Sequence, residues 1–96
     1  MKTYNIRISD GETNPLEAVP ATLVHAAPIP CFLHKEPKTE MWTVTEMSSG
    51  FVIAQGPTRK DAIANAMHRM TERPGLDAVR DLAAKAVARY GAANEA

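Results

Sequence analysis

Alternating apolar and polar residues at the start of the chain predict a first β-strand. Tyr4, Ile6 and Ile8 are separated by polar residues, which is the period of a strand that buries one face. Asp10 and Gly11 follow directly and supply the residue types of a turn. We therefore expect the first strand to end there.

The next stretch is rich in proline and predicts little regular structure. Residues 12–30 contain four prolines, each of which fixes φ and lacks a backbone N–H donor. We expect an extended, irregular segment with at most short edge pairing around residues 22–25. The letters CFLH at residues 31–34 predict a short strand, and a polar turn containing proline follows it.

Two β-rich runs within residues 41–55 predict a hairpin. They flank Ser48, Ser49 and Gly50, which suit a three-residue loop with Gly50 in the left-handed conformation. This loop would place Thr45 opposite Ile53 and would give the hairpin two apolar faces. One predicted face consists of Met41, Met47, Phe51 and Ile53.

Helical periodicity replaces strand periodicity after Gly56 and Pro57. Thr58 is a good N-cap for a helix over about 59–72, and Pro74 interrupts the pattern before a second helix over about 76–90. The apolar stripes predict that both helices pack on one face of the sheet. The stripe of the first helix is Ala62, Ile63, Ala66, Met67 and Met70, and that of the second is Leu76, Val79, Leu82, Ala83, Ala86, Val87 and Tyr90.

These elements predict a single α+β domain over residues 1–96. An N-terminal strand and the hairpin 41–55 form a small antiparallel sheet, with two C-terminal helices packed on one face. Residues 1–57 supply the strands and the proline-rich extended segment, and residues 58–91 supply the helices. Residues 92–96 form a tail with little reason to be ordered.

Composition narrows the class of protein. Eleven Lys and Arg residues balance eleven Asp and Glu residues, so the chain has no long-range field that would draw it to nucleic acid. The N-terminus does not resemble a signal peptide, and no apolar run is long enough to span a membrane. A single cysteine fits a reducing compartment, and we expect a cytoplasmic protein.

His25, Cys31 and His34 are the candidates for metal or nucleophile chemistry. Residues three apart on an extended chain point to opposite faces, and no fourth ligand is obvious, so we expect no metal site. The apolar neighbours of Cys31 indicate an inert, buried thiol. We expect no catalytic residue and no cofactor, which leaves a small metal protein or enzyme as the least favoured reading.

Arg59 and Lys60 are candidate anion contacts, because two cations lie at a helix N-terminus. Other basic residues of the helical half extend this possibility to nucleic acid. The exposed line of the first helix also carries Asp61 and Glu72, however, which is typical of a solvated mixed-charge face. Nucleic-acid binding is therefore not favoured.

The junction GPTRKDAIANA, residues 56–66, resembles a known family. Gly56, Thr58, Asp61 and Asn65, with small packing residues between them, look like the strand-to-helix junction of HicB-type antitoxins. The similarity covers residues 42–70. It implies a hairpin that packs on a helix, and it implies as an alternative function an antitoxin or regulator that contacts nucleic acid.

By elimination, the sequence favours a non-enzymatic protein–protein interaction module. The class includes small bacterial or phage accessory and inhibitor proteins that act by occupying a partner's surface. Met41, Met47, Phe51 and Ile53 are the candidate partner-binding residues, for a target protein or for a second copy in a homodimer. The alternative is that the proline-rich segment 15–33 covers this face, in which case it is core.

Overall fold

A computed structural model describes residues 2–8, 12–25, 27–72 and 75–94. It confirms an α+β fold in which five antiparallel strands, adjacent in chain order, carry two helices. The strands are β1 Lys2–Arg7, β2 Leu16–Leu23, β3 Cys31–Lys35, β4 Trp42–Glu46 and β5 Val52–Gly56, and the helices are α1 Arg59–Thr71 and α2 Gly75–Tyr90. The turn expected at residues 10–11 and the break expected at residue 74 lie outside the described residues.

The proline-rich segment is more regular than expected. Its first part forms β2, which pairs with β1 from Lys2↔Ala21 to Arg7↔Leu16. Pro20 lies opposite Thr3 of β1. Thr3 is two residues from Asn5 and four from Arg7, whose backbone N–H groups donate away from β2, so this pair of residues exchanges no ladder hydrogen bond and Pro20 is tolerated. The missing N–H of Pro20 therefore does not interrupt the ladder.

The sheet buries apolar side chains on both faces. Cys31 and Leu33 belong to a cluster on the helix side, whereas Phe32 between them belongs to a second cluster on the other side. Phe32 is fully buried, and its ring stacks on that of Tyr4 with centroids 4.9 Å apart. The β1–β2 pair thus covers the second face, so residues from the proline-rich segment, such as Val19, are core.

The β4–β5 hairpin keeps the predicted register from Trp42↔Gly56 to Val44↔Ala54 and departs from it by one residue next to the turn. Gly50 has the expected positive φ of 75°, but Thr45 lies opposite Val52, and a bulge follows Val44. The Glu46 carboxylate accepts hydrogen bonds from the backbone N–H groups of Ser48 and Ser49, at 3.0 and 2.7 Å, and this stabilises a longer turn. The prediction that Thr45 pairs with Ile53 is therefore wrong.

Helix α1 packs as its sequence pattern predicts. The Thr58 hydroxyl oxygen accepts a hydrogen bond from the backbone N–H of Asp61 at 3.1 Å, which caps the helix. Ala62, Ala66 and Met70 are buried in the helix-side cluster. The predicted apolar stripe of α1 is therefore confirmed.

Helix α2 buries much less than its stripe predicts. Val79 is 6% exposed and reaches the helix-side cluster, whereas Leu82 is 55% exposed. At the far end of α2 the Tyr90 ring packs against Phe51, with centroids 5.9 Å apart. The expected burial of Leu82 is therefore wrong: α2 is packed near both ends, and its middle faces a gap beside β5.

The expectation of an unordered tail is wrong for Ala93 and Asn94. The Asn94 side chain accepts a hydrogen bond from the Asn5 N–H at 2.8 Å and donates to the carbonyls of Asn5 and Met47 at 2.9 and 3.0 Å. The Ala93 N–H donates to the Ser48 carbonyl at 2.7 Å. This segment therefore joins the outer side of β1 to the β4–β5 turn.

Candidate functional site

The four predicted partner-binding residues do not share one face. Met47 is buried in the cluster beneath the β1–β2 pair, and Ile53 is buried in the helix-side cluster. Phe51 is half-buried against Tyr90, and Met41 is half-buried just before β4. The register shift explains the separation, because it moves Ile53 away from the side that Met47 occupies. Their role in partner binding stays a prediction.

Two of the four line an apolar groove between β5 and α2, which we call the β5–α2 groove. Its volume is about 260 Å³. Val52 and Leu82 form its two exposed edges, with 46% and 55% of their surfaces accessible. The main apolar lining is Phe51, Val52 and Ile53 on one side and Leu82, Ala83 and Ala86 on the other.

Side chains of α1 hold the edge of β5 beside this groove. Arg69 Nη1 donates a hydrogen bond to the Ile53 carbonyl at 2.6 Å, and Asn65 Nδ2 donates to the Gln55 carbonyl at 2.8 Å. These carbonyls point away from β4, the neighbour of β5 in the sheet. The edge strand is therefore fixed by helix side chains, and the guanidinium of Arg69 lies at the groove wall.

The groove lining contains one cation, Arg69, and one carboxylate, Glu46, and further charged residues lie on α2 beside it. Lys85 and Arg89 follow Leu82 by three and seven residues on α2, which places all three on one side of the helix. Lys85 pairs with Asp81 at 3.0 Å, and the Arg89 guanidinium lies 5.2 Å from the Tyr90 ring centroid. Arg69, in the groove lining, and Arg89, farther along α2, form no ion pair with any described residue, whereas the carboxylate of Glu46 in the lining accepts hydrogen bonds from the β4–β5 turn.

Arg59, one of the two predicted anion contacts, lies against an aromatic ring. Its guanidinium carbon is 4.5 Å from the centroid of Trp42, and Lys35 Nζ is 5.4 Å from the same centroid. Lys60 follows Arg59 in the first turn of α1 and is exposed. The predicted anion role of Arg59 and Lys60 is untested. The sequence analysis did not predict that Lys35 and Trp42 lie beside Arg59, because no local sequence pattern links residues so far apart in the chain.

A buried histidine and threonine form the other notable polar pair. His34 Nδ1 lies 3.0 Å from the Lys35 carbonyl oxygen and donates to it, since a carbonyl can only accept. In the neutral ring Nε2 is then the acceptor, and the Thr45 hydroxyl donates to it at 2.7 Å. Burial lowers the pKa of His34. The hydrogen bond to the Lys35 carbonyl and the negative charge of Glu36 act in the opposite direction but are smaller effects. Both side chains are almost fully buried, so the Thr45 hydroxyl is not accessible to a substrate.

Cys31 is a buried thiol on the other side of β3. Burial, with the nearby charge of Glu46, raises the pKa of Cys31 to about 11, so the reactive thiolate is scarce at neutral pH. His34 lies on the opposite face of the strand from Cys31. Within the described ranges, no three His, Cys, Asp or Glu side chains are grouped so that they could hold a metal ion.

Comparisons with known proteins do not assign this chain. It matches no protein-family model, no curated protein and no solved structure. The resemblance of residues 42–70 to HicB-type antitoxins stays a prediction. None of the helices in the described part of the chain has the length and apolar character needed to cross a membrane.

Proposed function

We propose that this chain is a non-enzymatic protein–protein interaction module and that the β5–α2 groove is its docking surface. Its occupant is a segment of a partner protein that combines apolar residues with Asp or Glu. The observation that carries the proposal is the pair of exposed apolar edges, Val52 and Leu82, on either side of an apolar groove.

The apolar component of binding comes from these edges and from the ring of Phe51. Val52 and Leu82 are each about half exposed, and among the other large apolar side chains of the described residues only Leu16 and Leu23 are also classed as exposed. Binding that covers them removes apolar surface from water at about 25 cal/mol per Å². Because the floor of the groove is already packed against β5 and α1, a partner meets a preformed surface.

Charge gives the proposal its chemical specificity. Arg69 lines the groove and Arg89 follows Leu82 by seven residues on α2, and neither has an ion-pair partner among the described residues. The carboxylate of Glu46, which also lines the groove, accepts hydrogen bonds from the backbone N–H groups of the β4–β5 turn. Acidic residues on the incoming segment would complement these cations. A segment that is basic beside its apolar residues would be repelled.

This mode of action suits a small accessory or inhibitor protein that occupies a partner's surface. The single cysteine, Cys31, is buried and unpaired, which agrees with a cytoplasmic location. A second copy of the chain is the competing occupant, and the oligomeric state in solution distinguishes it from a partner protein.

The test is selection from a phage-displayed library of random peptides, followed by affinity measurements on synthetic peptides. The test variants are Val52→Asp and Leu82→Asp, which place a carboxylate at either edge of the groove. Leu16→Asp is the matched control, because Leu16 is 44% exposed and lies on β2, outside the groove lining. Circular dichroism and melting temperature verify that each variant is folded.

We expect selected peptides to combine apolar residues with Asp or Glu. Their affinity should fall at least about tenfold, or 1.4 kcal/mol, in Val52→Asp and Leu82→Asp but not in Leu16→Asp. No enrichment, or equal losses in all three variants, would overturn the proposal. So would sedimentation showing a dimer that Leu82→Asp converts to a monomer, because the groove would then be occupied by a second copy.

A further inference from the structure

A second cavity lies where β2 and β3 separate, and we call it the β2–β3 cleft. Its volume is about 210 Å³. The strands pair only at Thr22↔Leu33 and Leu23↔Phe32, after which β2 continues along β1. The walls beyond this point are formed by Pro20, Ala21, Leu33, Lys35, Trp42 and Arg59.

The cleft has a defined cause in the sequence. If the β2–β3 register continued, Pro20 would lie opposite Lys35. Proline has no N–H to donate, so it cannot supply the ladder bond to the Lys35 carbonyl. That carbonyl instead accepts from His34 Nδ1 at 3.0 Å. The opening is therefore built into the fold and does not depend on a loop.

Two cations converge on the aromatic wall of this cleft. The Arg59 guanidinium carbon and Lys35 Nζ lie 4.5 and 5.4 Å from the centroid of Trp42. Neither cation forms an ion pair or hydrogen bond with any other described residue. The nearest acidic residues in sequence are Glu36, whose Oε1 accepts from the Lys38 N–H at 2.9 Å, and Asp61 in the first turn of α1.

We propose that the β2–β3 cleft is a binding site for single-stranded nucleic acid. A base enters the apolar cleft beside Trp42, and the adjoining phosphates contact Lys35 and Arg59. The cleft is smaller than the roughly 300 Å³ at which pockets for drug-sized ligands begin, so it suits a single inserted group. An aromatic ring beside paired cations is the arrangement by which single strands are bound without base pairing.

Binding involves an exchange at the indole ring. In the free chain Arg59 and Lys35 lie against Trp42, and a base that stacks on the ring displaces one of them. The displaced cation remains tethered beside the cleft and pairs with the neighbouring phosphate. Lys60, exposed in the first turn of α1, extends the positive surface along the strand. This site is separate from the β5–α2 groove and does not depend on it.

The test uses the intrinsic fluorescence of Trp42, which is the only tryptophan in the chain. The probes are an oligodeoxythymidylate, inorganic phosphate and polyglutamate, each titrated at several salt concentrations. The test variant is the double substitution Lys35→Gln and Arg59→Gln, which removes two exposed charges. Lys85→Gln is the matched control, since Lys85 is an exposed cation on α2.

We expect the oligonucleotide to quench Trp42 and to bind at least about tenfold more weakly to the double variant, with little change in Lys85→Gln. Each lost phosphate contact should lower the magnitude of the salt slope by about 0.7. Oligonucleotide binding no tighter than that of phosphate or polyglutamate would overturn the assignment in favour of a general anion surface. Absence of quenching, or an equal loss in Lys85→Gln, would overturn the site itself.

Discussion

The substitution Asn94→Ala tests whether the C-terminal segment is part of the folded structure. The Asn94 side chain makes three hydrogen bonds, two with the backbone of Asn5 and one with the Met47 carbonyl. Alanine removes all three and leaves three backbone groups without these partners. Two of the three bonds are to the outer side of β1, the strand most distant from the helices in sheet order.

The magnitude follows from the number and burial of these bonds. A hydrogen bond typically contributes about 0.5 to 1.5 kcal/mol net, so three would contribute about 1.5 to 4.5 kcal/mol. Because the three bonds are only partly buried, water can replace some of them, and we expect a loss in the lower half of that range. For a domain of this size, a loss of about 2 kcal/mol lowers the melting temperature by about 8 to 16 °C.

The assay is urea unfolding followed by circular dichroism and by Trp42 fluorescence, with hydrogen exchange at the Asn5 amide as a local measurement. Asn65→Ala is the matched control, because Asn65 makes one exposed hydrogen bond, to the Gln55 carbonyl. It should cost about 1 kcal/mol or less. If Asn94→Ala changes the unfolding free energy by no more than this control and leaves Asn5 exchange unaltered, the segment does not stabilise β1.

Three further predictions concern burial. Val79→Ala should lower the free energy of unfolding in urea more than Leu82→Ala does, because Val79 is 6% exposed and Leu82 is 55% exposed. We expect a loss of about 1.5 to 3 kcal/mol for Val79→Ala and of at most about 1 kcal/mol for Leu82→Ala. The reverse order would contradict the packing of α2. The unfolding free energy should fall as the pH drops below about 6.5, since the pKa of His34 is lower in the folded than in the unfolded state; the fall should flatten in His34→Gln, and an unchanged slope would show that His34 does not contribute. Cys31 should react with Ellman's reagent in native buffer far more slowly than in the unfolded chain, because the side chain is only 1% exposed and burial raises its pKa to about 11. Equally fast reaction in native buffer and in denaturant would contradict its burial.

Local chemistry was sufficient to predict the helices and the hairpin. Thr58 caps α1, and the spacing of Ala62, Ala66 and Met70 indicates its buried side, because both features act within a few turns of chain. The strand β2 was not predicted, since Pro20 argues against a strand unless its neighbours are known. Pro20 is tolerated because the β1 residue opposite it exchanges no ladder hydrogen bond with β2, and this depends on how two segments distant in sequence pair.

The candidate sites were predicted less well, because they depend on register and on distant segments. A bulge after Val44 separates Ile53 from Met47, and no residue pattern in the hairpin signals that bulge. The bonds from Glu46 to the turn explain it only once the structure is known. Arg59 was identified as a candidate anion contact from its helix position, but its contact with Trp42 requires the packed fold.

The hydrogen bonds at the two outer strands restrict how a partner can be recognised. Many proteins capture an extended peptide by adding it as an extra strand at a sheet edge, where the main chain supplies most of the affinity. Here Asn94 already bonds the Asn5 backbone on β1, and Asn65 and Arg69 already bond outward carbonyls of β5. An incoming strand would first have to break these bonds. Docking at the side chains of the β5–α2 groove would break none of these bonds, so it is favoured over strand addition. Recognition by side chains also discriminates among partner sequences more sharply than main-chain pairing does. The same arrangement opposes edge-to-edge aggregation of the free protein.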